Sequence, residues 1–194
     1  MSHTENTREK ILTSALDLFF AQGIKKTSLE QVAFRAGVTR ITVYRYFPDK
    51  QQLVMAALMR IPAILEAAQA HLVAAHTQDV GTELDLVSAQ LAALPPGNLP
   101  TLLDELQRVY PQVWKQVHAA RLAAIQGIFN HLFALAENQG CLRTGLNRQM
   151  VQAYFMVAVV NVLEDPSLVS LGFSPAEVLD TVKAIFLHGI LREK

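Results

Sequence analysis

Thr27-Ser28-Leu29-Glu30-Gln31-Val32-Ala33-Phe34-Arg35-Ala36-Gly37-Val38-Thr39-Arg40-Ile41-Thr42-Val43-Tyr44-Arg45-Tyr46-Phe47 is the stretch on which the fold turns. It reads as two short helices joined by a tight turn. Thr27 followed by Glu30 has the form of a capping box, in which the N-cap hydroxyl and the N3 side chain each satisfy an orphan N–H group. Val32, Ala33 and Ala36 share the inner face of the helix that follows. Gly37 ends it, because glycine takes a left-handed C-terminal position without steric cost. Thr39 then caps a second helix running to about Tyr46. Phe47-Pro48 closes that helix, since a residue before proline is driven out of the α region.

The pattern on either side is helical too. Ile11, Leu12, Ala15, Leu18 and Phe19 form one apolar stripe, with Gly23 placed to end that helix. Asp49 and Gln52 pair at the start of a further helix carrying Leu53, Ala56 and Ala57, which Pro62 is expected to kink or break. Beyond it the spacing predicts helices near 63–76, 82–94, 100–109 and 111–138, with Pro95-Pro96-Gly97-Asn98 as a loop. Pro111 either starts a helix or kinks one continuing from 100. A helix over Asn147–Leu163 carries Val151, Tyr154, Phe155, Ala158, Val159 and Val162 on one stripe, while Met156, Val157 and Val160 are apolar as well. Ser174-Pro175-Ala176-Glu177 combines an N-cap, proline at N1 and Glu at N3, and opens a last helix. No alternating strand pattern of useful length occurs. The predicted fold is therefore all-α: a three-helix domain over residues 1–53 and a larger helical domain over 54–194.

Composition narrows the class. The net charge is zero, yet residues 1–60 hold nine Lys/Arg against five Asp/Glu and the remainder eight against twelve. A basic head on an acidic body suits a polyanion partner for the head alone. No apolar run approaches the ~18 residues of a membrane span, the N-terminus lacks a signal-peptide core, and the single Cys141 forms no intramolecular disulfide. A cytoplasmic protein with no membrane partner is expected. No Gly-rich phosphate loop, nucleophile elbow or metal-binding His-Glu pattern is present, so no enzyme activity, cofactor or metal is expected.

Two short helices around a glycine turn are the form of the DNA-binding helix-turn-helix, whose second helix enters the major groove. On a helical wheel Val43 turns inward, leaving Arg40, Ile41, Thr42, Tyr44, Arg45 and Tyr46 largely outside. Residues 8–53 resemble the DNA-binding domain of the TetR family. The match is carried by Ile11-Leu12, Ala15, Leu18-Phe19, Gly23, Thr27-Ser28, Val32-Ala33, Ala36-Gly37-Val38-Thr39, Thr42-Val43-Tyr44, Tyr46-Phe47, Lys50 and Leu53. The resemblance implies base reading by Arg40, Ile41, Thr42 and Arg45, and phosphate contacts from Ser28, Thr39, Tyr44, Tyr46 and Lys50. Ile41 departs from the family's usual small residue; it either touches a thymine methyl or makes that edge more apolar. Phe34, on the outward side of its helix, is expected to pack on the body.

For the body the resemblance implies a helical domain whose last two helices pair with a partner's. Met156, Val160, Val178, Val182, Ile185 and Phe186 are the expected homodimer contacts, with a two-fold operator in double-stranded DNA to match. A pocket for a small apolar or amphipathic ligand is expected among Tyr110, Trp114, His118, Phe133 and Tyr154. The implied function is a repressor released from its operator by that ligand. The alternative is a ligand-independent regulator, or an activator working through a protein partner.

Overall fold

The computed structural model describes residues 3–75, 79–91, 95, 97–165, 167–168, 171, 173 and 175–191. Most of these are helical, with no strand among them beyond a single antiparallel bridge between Leu142 and Leu191. The helices are α1 (His3–Gln22), α2 (Leu29–Ala36), α3 (Arg40–Tyr46), α4 (Lys50–Leu58), α5 (Arg60–Ala75), α6 (Val80–Leu91), α7 (Leu99–Val109), α8 (Pro111–Asn138), α9 (Arg148–Glu164) and α10 (Pro175–Ile190). The expected extension of α6 to 94 and the Ser174 cap of α10 lie outside the described residues. The chain packs as two units, residues 1–61 with 95–119, and 62–94 with 120–194.

The first unit is built on α1. Ile11, Leu12, Ala15, Leu16, Phe19 and Phe20 are buried there, with Leu18 at the margin of the stripe. Val32 and Ala33 of α2, Val43 of α3, and Leu53, Val54 and Ala57 of α4 complete the core. The cap of α2 differs from the sequence expectation by one residue. Ser28, not Thr27, is the N-cap: its side chain accepts from the Gln31 N–H, while the Ser28 N–H donates to Gln31 Oε1 at 2.7 Å. Thr27 is unavailable because its buried hydroxyl donates to the Gly23 carbonyl at 2.8 Å. Gly37 ends α2 in the left-handed region, and Val38 N–H returns to the Ala33 carbonyl at 3.0 Å. The break expected at Pro62 comes earlier, at Met59. Pro62 sits in the first turn of α5, where its missing N–H would be unpaired anyway.

α7 and the start of α8 belong to this first unit, and Leu102, Leu103, Leu106, Val113 and Val117 are buried. Pro111 begins α8 rather than kinking a continuous helix, after Tyr110 closes α7. The decisive contact is polar. Glu105 of α7 accepts from the Ile24 N–H at 2.6 Å and the Lys25 N–H at 2.9 Å, so one carboxylate fixes the loop between α1 and α2. Gly23 makes room for it: the backbone is left-handed at φ +86°, and a Cβ there would lie 2.6 Å from Glu105 Oε2.

The second unit closes around an aromatic cluster. Phe129 meets Phe133, Phe155 and Phe186 with ring centroids 5.4, 5.1 and 6.1 Å away, tying α8, α9 and α10 together. Arg143 secures the end of α10 by donating to the His188 carbonyl at 2.8 Å and the Leu191 carbonyl at 3.0 Å, where a cation also suits the helix dipole. Glu83 is buried, and its carboxylate lies 2.8 Å from His131 Nε2. By length and composition alone, Lys50–Val73 and Pro111–Asn138 could cross a membrane, which the length of the apolar runs does not suggest. Both stretches supply core side chains to these units, such as Leu53, Leu72, Val117 and Leu132.

Gly23→Ala is expected to cost about 1–3 kcal/mol, from a strained left-handed alanine and a displaced carboxylate. Glu105→Ala should cost a similar amount by leaving two N–H groups without their charged acceptor. Urea denaturation of the two variants and the wild type measures both.

Candidate nucleic-acid interface

α3 has only seven residues, and its hold on shape comes from its ends and one buried side chain. Thr39 is its N-cap, as the sequence predicts: Thr39 Oγ1 accepts from the Thr42 N–H at 3.1 Å, and the two hydroxyls lie 2.9 Å apart. Val43 is fully buried, and Phe47 N–H closes the last turn on the Val43 carbonyl at 2.9 Å. With Val43 inward, Arg40, Ile41, Tyr44 and Arg45 stand on the exposed face, Ile41 at 81%. Thr42 and Tyr46 are half-buried at its edges.

Each cation on this face has a partner. Arg40 Nη1 lies 2.6 Å from Glu30 Oε1, Arg40 Nη2 donates to the Tyr44 hydroxyl at 3.0 Å, and its guanidinium carbon sits 5.2 Å from the Tyr44 ring centroid. The Tyr44 hydrogen bond and Glu30 raise the arginine's pKa further. Its own backbone N–H, the Ser28 hydroxyl and Arg40 hold the Glu30 carboxyl below the usual range. Arg45 lies over the Tyr46 ring, 5.4 Å from its centroid. Lys50, on the first turn of α4, donates from Nζ to the Lys25 carbonyl at 3.4 Å. Burial lowers its pKa, opposed by Glu105. Ser28, Thr39, Arg40, Tyr44 and Lys50 therefore all lie on elements that cap or brace the two-helix unit.

Not every expectation fits. Phe34 does not pack on the body; it is 90% exposed on the same side of α2 as Glu30. The position of Glu30 beside Arg40 has no counterpart in the sequence pattern, which assigns Glu30 to the cap. Among the expected pocket residues, Trp114 and His118 do come together, their rings stacked with centroids 4.7 Å apart, and Tyr110 precedes them by a turn. Burial pushes the Tyr110 phenol's pKa up. Phe133 belongs instead to the aromatic core of the second unit, where Arg148 covers its face. Tyr154 is 69% exposed, so it lines no enclosed pocket in the protomer: α9 turns Phe155 and Val159 to the core and Tyr154 away from it.

Most of the expected dimer residues are at least partly buried within the protomer itself. Met156, Val160 and Val182 are partly buried against the protomer's own core, Val178 is half-buried, and Phe186 lies within that core. Ile185 is exposed as expected. The face that α9 leaves open carries Met150, Tyr154 and Val157, about a quarter to a third of a turn from Met156 and Val160. The described residues contain no cluster of His, Cys, Asp and Glu fit to hold a metal.

The fold and the exposed face of α3 define a helix-turn-helix protein. The family model described as "Bacterial regulatory proteins, tetR family" matches residues 11–57. TtgW, an uncharacterized HTH-type transcriptional regulator of Pseudomonas putida, is 32% identical over 99 residues, 51% of this chain and 69% of TtgW. SrpR, another HTH-type transcriptional regulator of Pseudomonas putida, is 33% identical over 99 residues, covering 51% of this chain and 43% of SrpR. The chain thus matches less than half the length of SrpR. Among solved structures, SmeT, "the repressor of the Stenotrophomonas maltophilia multidrug efflux pump SmeDEF", superposes with a TM-score of 0.61 at 19% identity over 97% of this chain and 93% of that one. SmeT is also known as a complex with triclosan. The chain belongs to the TetR family of transcriptional regulators.

Thr39→Ala should destabilise the unit by about 1 kcal/mol through loss of the α3 cap. The shift in urea midpoint at constant slope reads this out.

Proposed function

We propose that the chain is a homodimeric repressor that binds a two-fold symmetric operator through α3 and is released by a small apolar or amphipathic ligand. The observation that carries the DNA-binding reading is the division of α3, with Val43 buried and Arg40, Ile41, Tyr44 and Arg45 exposed together. The major groove admits an α-helix, and this face presents donors at helical spacing. Arg40, Ile41, Thr42 and Arg45 read bases. Ser28, Thr39, Tyr44, Tyr46 and Lys50 grip phosphates.

Dimerisation is favoured by the apolar side chains that α9 and α10 leave exposed. Met150, Tyr154, Val157 and Ile185 meet water in the single protomer, and a partner's copy would cover them. SmeT, whose complex with triclosan is known, supports a small apolar ligand for a body of this fold. Release by a ligand requires that it bind the operator-competent and incompetent dimers unequally.

Selection of bound fragments from genomic DNA tests the reading. A two-fold symmetric consensus with half-sites about one helical turn apart is the expected result, and recovery of random fragments would overturn it. Arg45→Ala is expected to relax preference at one position per half-site by about 1–3 kcal/mol. Lys50→Ala should weaken binding to all sequences and reduce the salt slope by about one. An unchanged slope removes Lys50 from the phosphate contacts.

A further inference from the structure

We infer that Glu30 is a specificity-determining positioning residue, holding Arg40 as an oriented, charge-neutralised reader rather than a loose phosphate-seeking cation. The inference rests on the DNA-binding reading above and deepens it.

The capping work in α2 is done by Ser28 and Gln31, which leaves the Glu30 carboxylate for other partners. It lies 2.6 Å from Arg40 Nη1 on the next helix, while Tyr44 takes Nη2 at 3.0 Å and lies beneath the guanidinium. The guanidinium is thus held at two of its nitrogens and across its plane. An unrestrained arginine loses much rotamer freedom on docking, and this arrangement removes part of that loss beforehand. Glu30 stands in the first turn of α2 and Arg40 opens α3, so their ion pair joins the first turns of both helices of the motif.

The electrostatics point the same way. A lone carboxylate on a face that meets a polyanion weakens binding, and a lone arginine strengthens binding to any sequence. Paired, the two add no net charge. Arg40 then contributes through directed hydrogen bonds, which depend on the base, more than through counterion release, which does not. Ile41, 81% exposed beside Arg40, adds an apolar surface that likewise gains nothing from phosphate.

The full-length protein is compared as wild type, Glu30→Gln, Arg40→Ala and the double variant, on the selected operator and on a random duplex over a range of salt. Glu30→Gln is expected to bind random duplex about 3–10-fold more tightly, with the log–log salt slope steeper by about 0.9. It should also lose preference at one base-pair position per half-site, the position lost in Arg40→Ala. In the double variant, base preference should be that of Arg40→Ala alone, since Glu30 acts through Arg40. Wild-type preference in a folded Glu30→Gln protein, judged by unchanged circular dichroism, overturns the inference. So does a loss at a different position that persists without Arg40. Failure of the wild type to distinguish operator from random duplex overturns the DNA-binding reading itself, and is seen before any variant is made.

Discussion

A helix of seven residues cannot keep its shape in water, because too few hydrogen bonds follow its costly nucleation. Everything α3 presents to a partner therefore depends on how it is pinned from behind. Val43 supplies the apolar anchor, worth about 1.5–3 kcal/mol when fully buried. Thr39 and Phe47 close the ends. The support beneath α2 depends in turn on the loop at Ile24 and Lys25, which is locked by a carboxylate far along the chain, on α7. The order of dependence runs from Glu105 to the loop, from the loop to α2, and from α2 to α3. This explains why α7 packs as one unit with the head.

The exposed face of the motif is not simply basic. Arg40 is balanced by Glu30 of α2, and Arg35 of α2 by Asp17 of α1 at 2.9 Å. Such exposed pairs add little stability, typically under about 1 kcal/mol. Their larger effect is on what the charges can do. An arginine fixed by a neighbour keeps its donor geometry while losing its indiscriminate attraction to phosphate. The excess positive charge of the first sixty residues is thus spread unevenly, with Arg45 lying over a ring and Lys50 donating to a carbonyl.

Legibility in the sequence follows from locality. The caps at Thr39 and Asp49, the stops at Gly37 and Phe47, and the start of α8 at Pro111 are all set by residues close to one another in the chain. The cap of α2 falls one residue later than the pattern suggests because Thr27 and Ser28 are both competent; the choice is made by the Gly23 carbonyl, which takes the Thr27 hydroxyl. That small shift conceals the role of Glu30. Glu105 leaves no local signal, since nothing in its own helix indicates a distant pair of N–H groups. The arrangement of α9 is obscured for a different reason. With apolar residues nearly all round, periodicity does not say which stripe faces the core, and only the positions of Phe129 and Phe186 select Phe155 over Tyr154.

That selection bears on the proposed dimer. In this protomer the aromatic cluster takes the Phe155 and Val159 face of α9 for itself. Met150, Tyr154 and Val157 then form the face left over, with Ile185 of α10 exposed as well. A two-fold axis brings the same patch of each protomer against its copy, so these residues would meet one another or their near neighbours across it. Tyr154 suits such a position. A tyrosine can bury apolar ring area while its hydroxyl stays at a polar rim, and in the proposed dimer this exposed face of α9 would be the one that a symmetric partner covers.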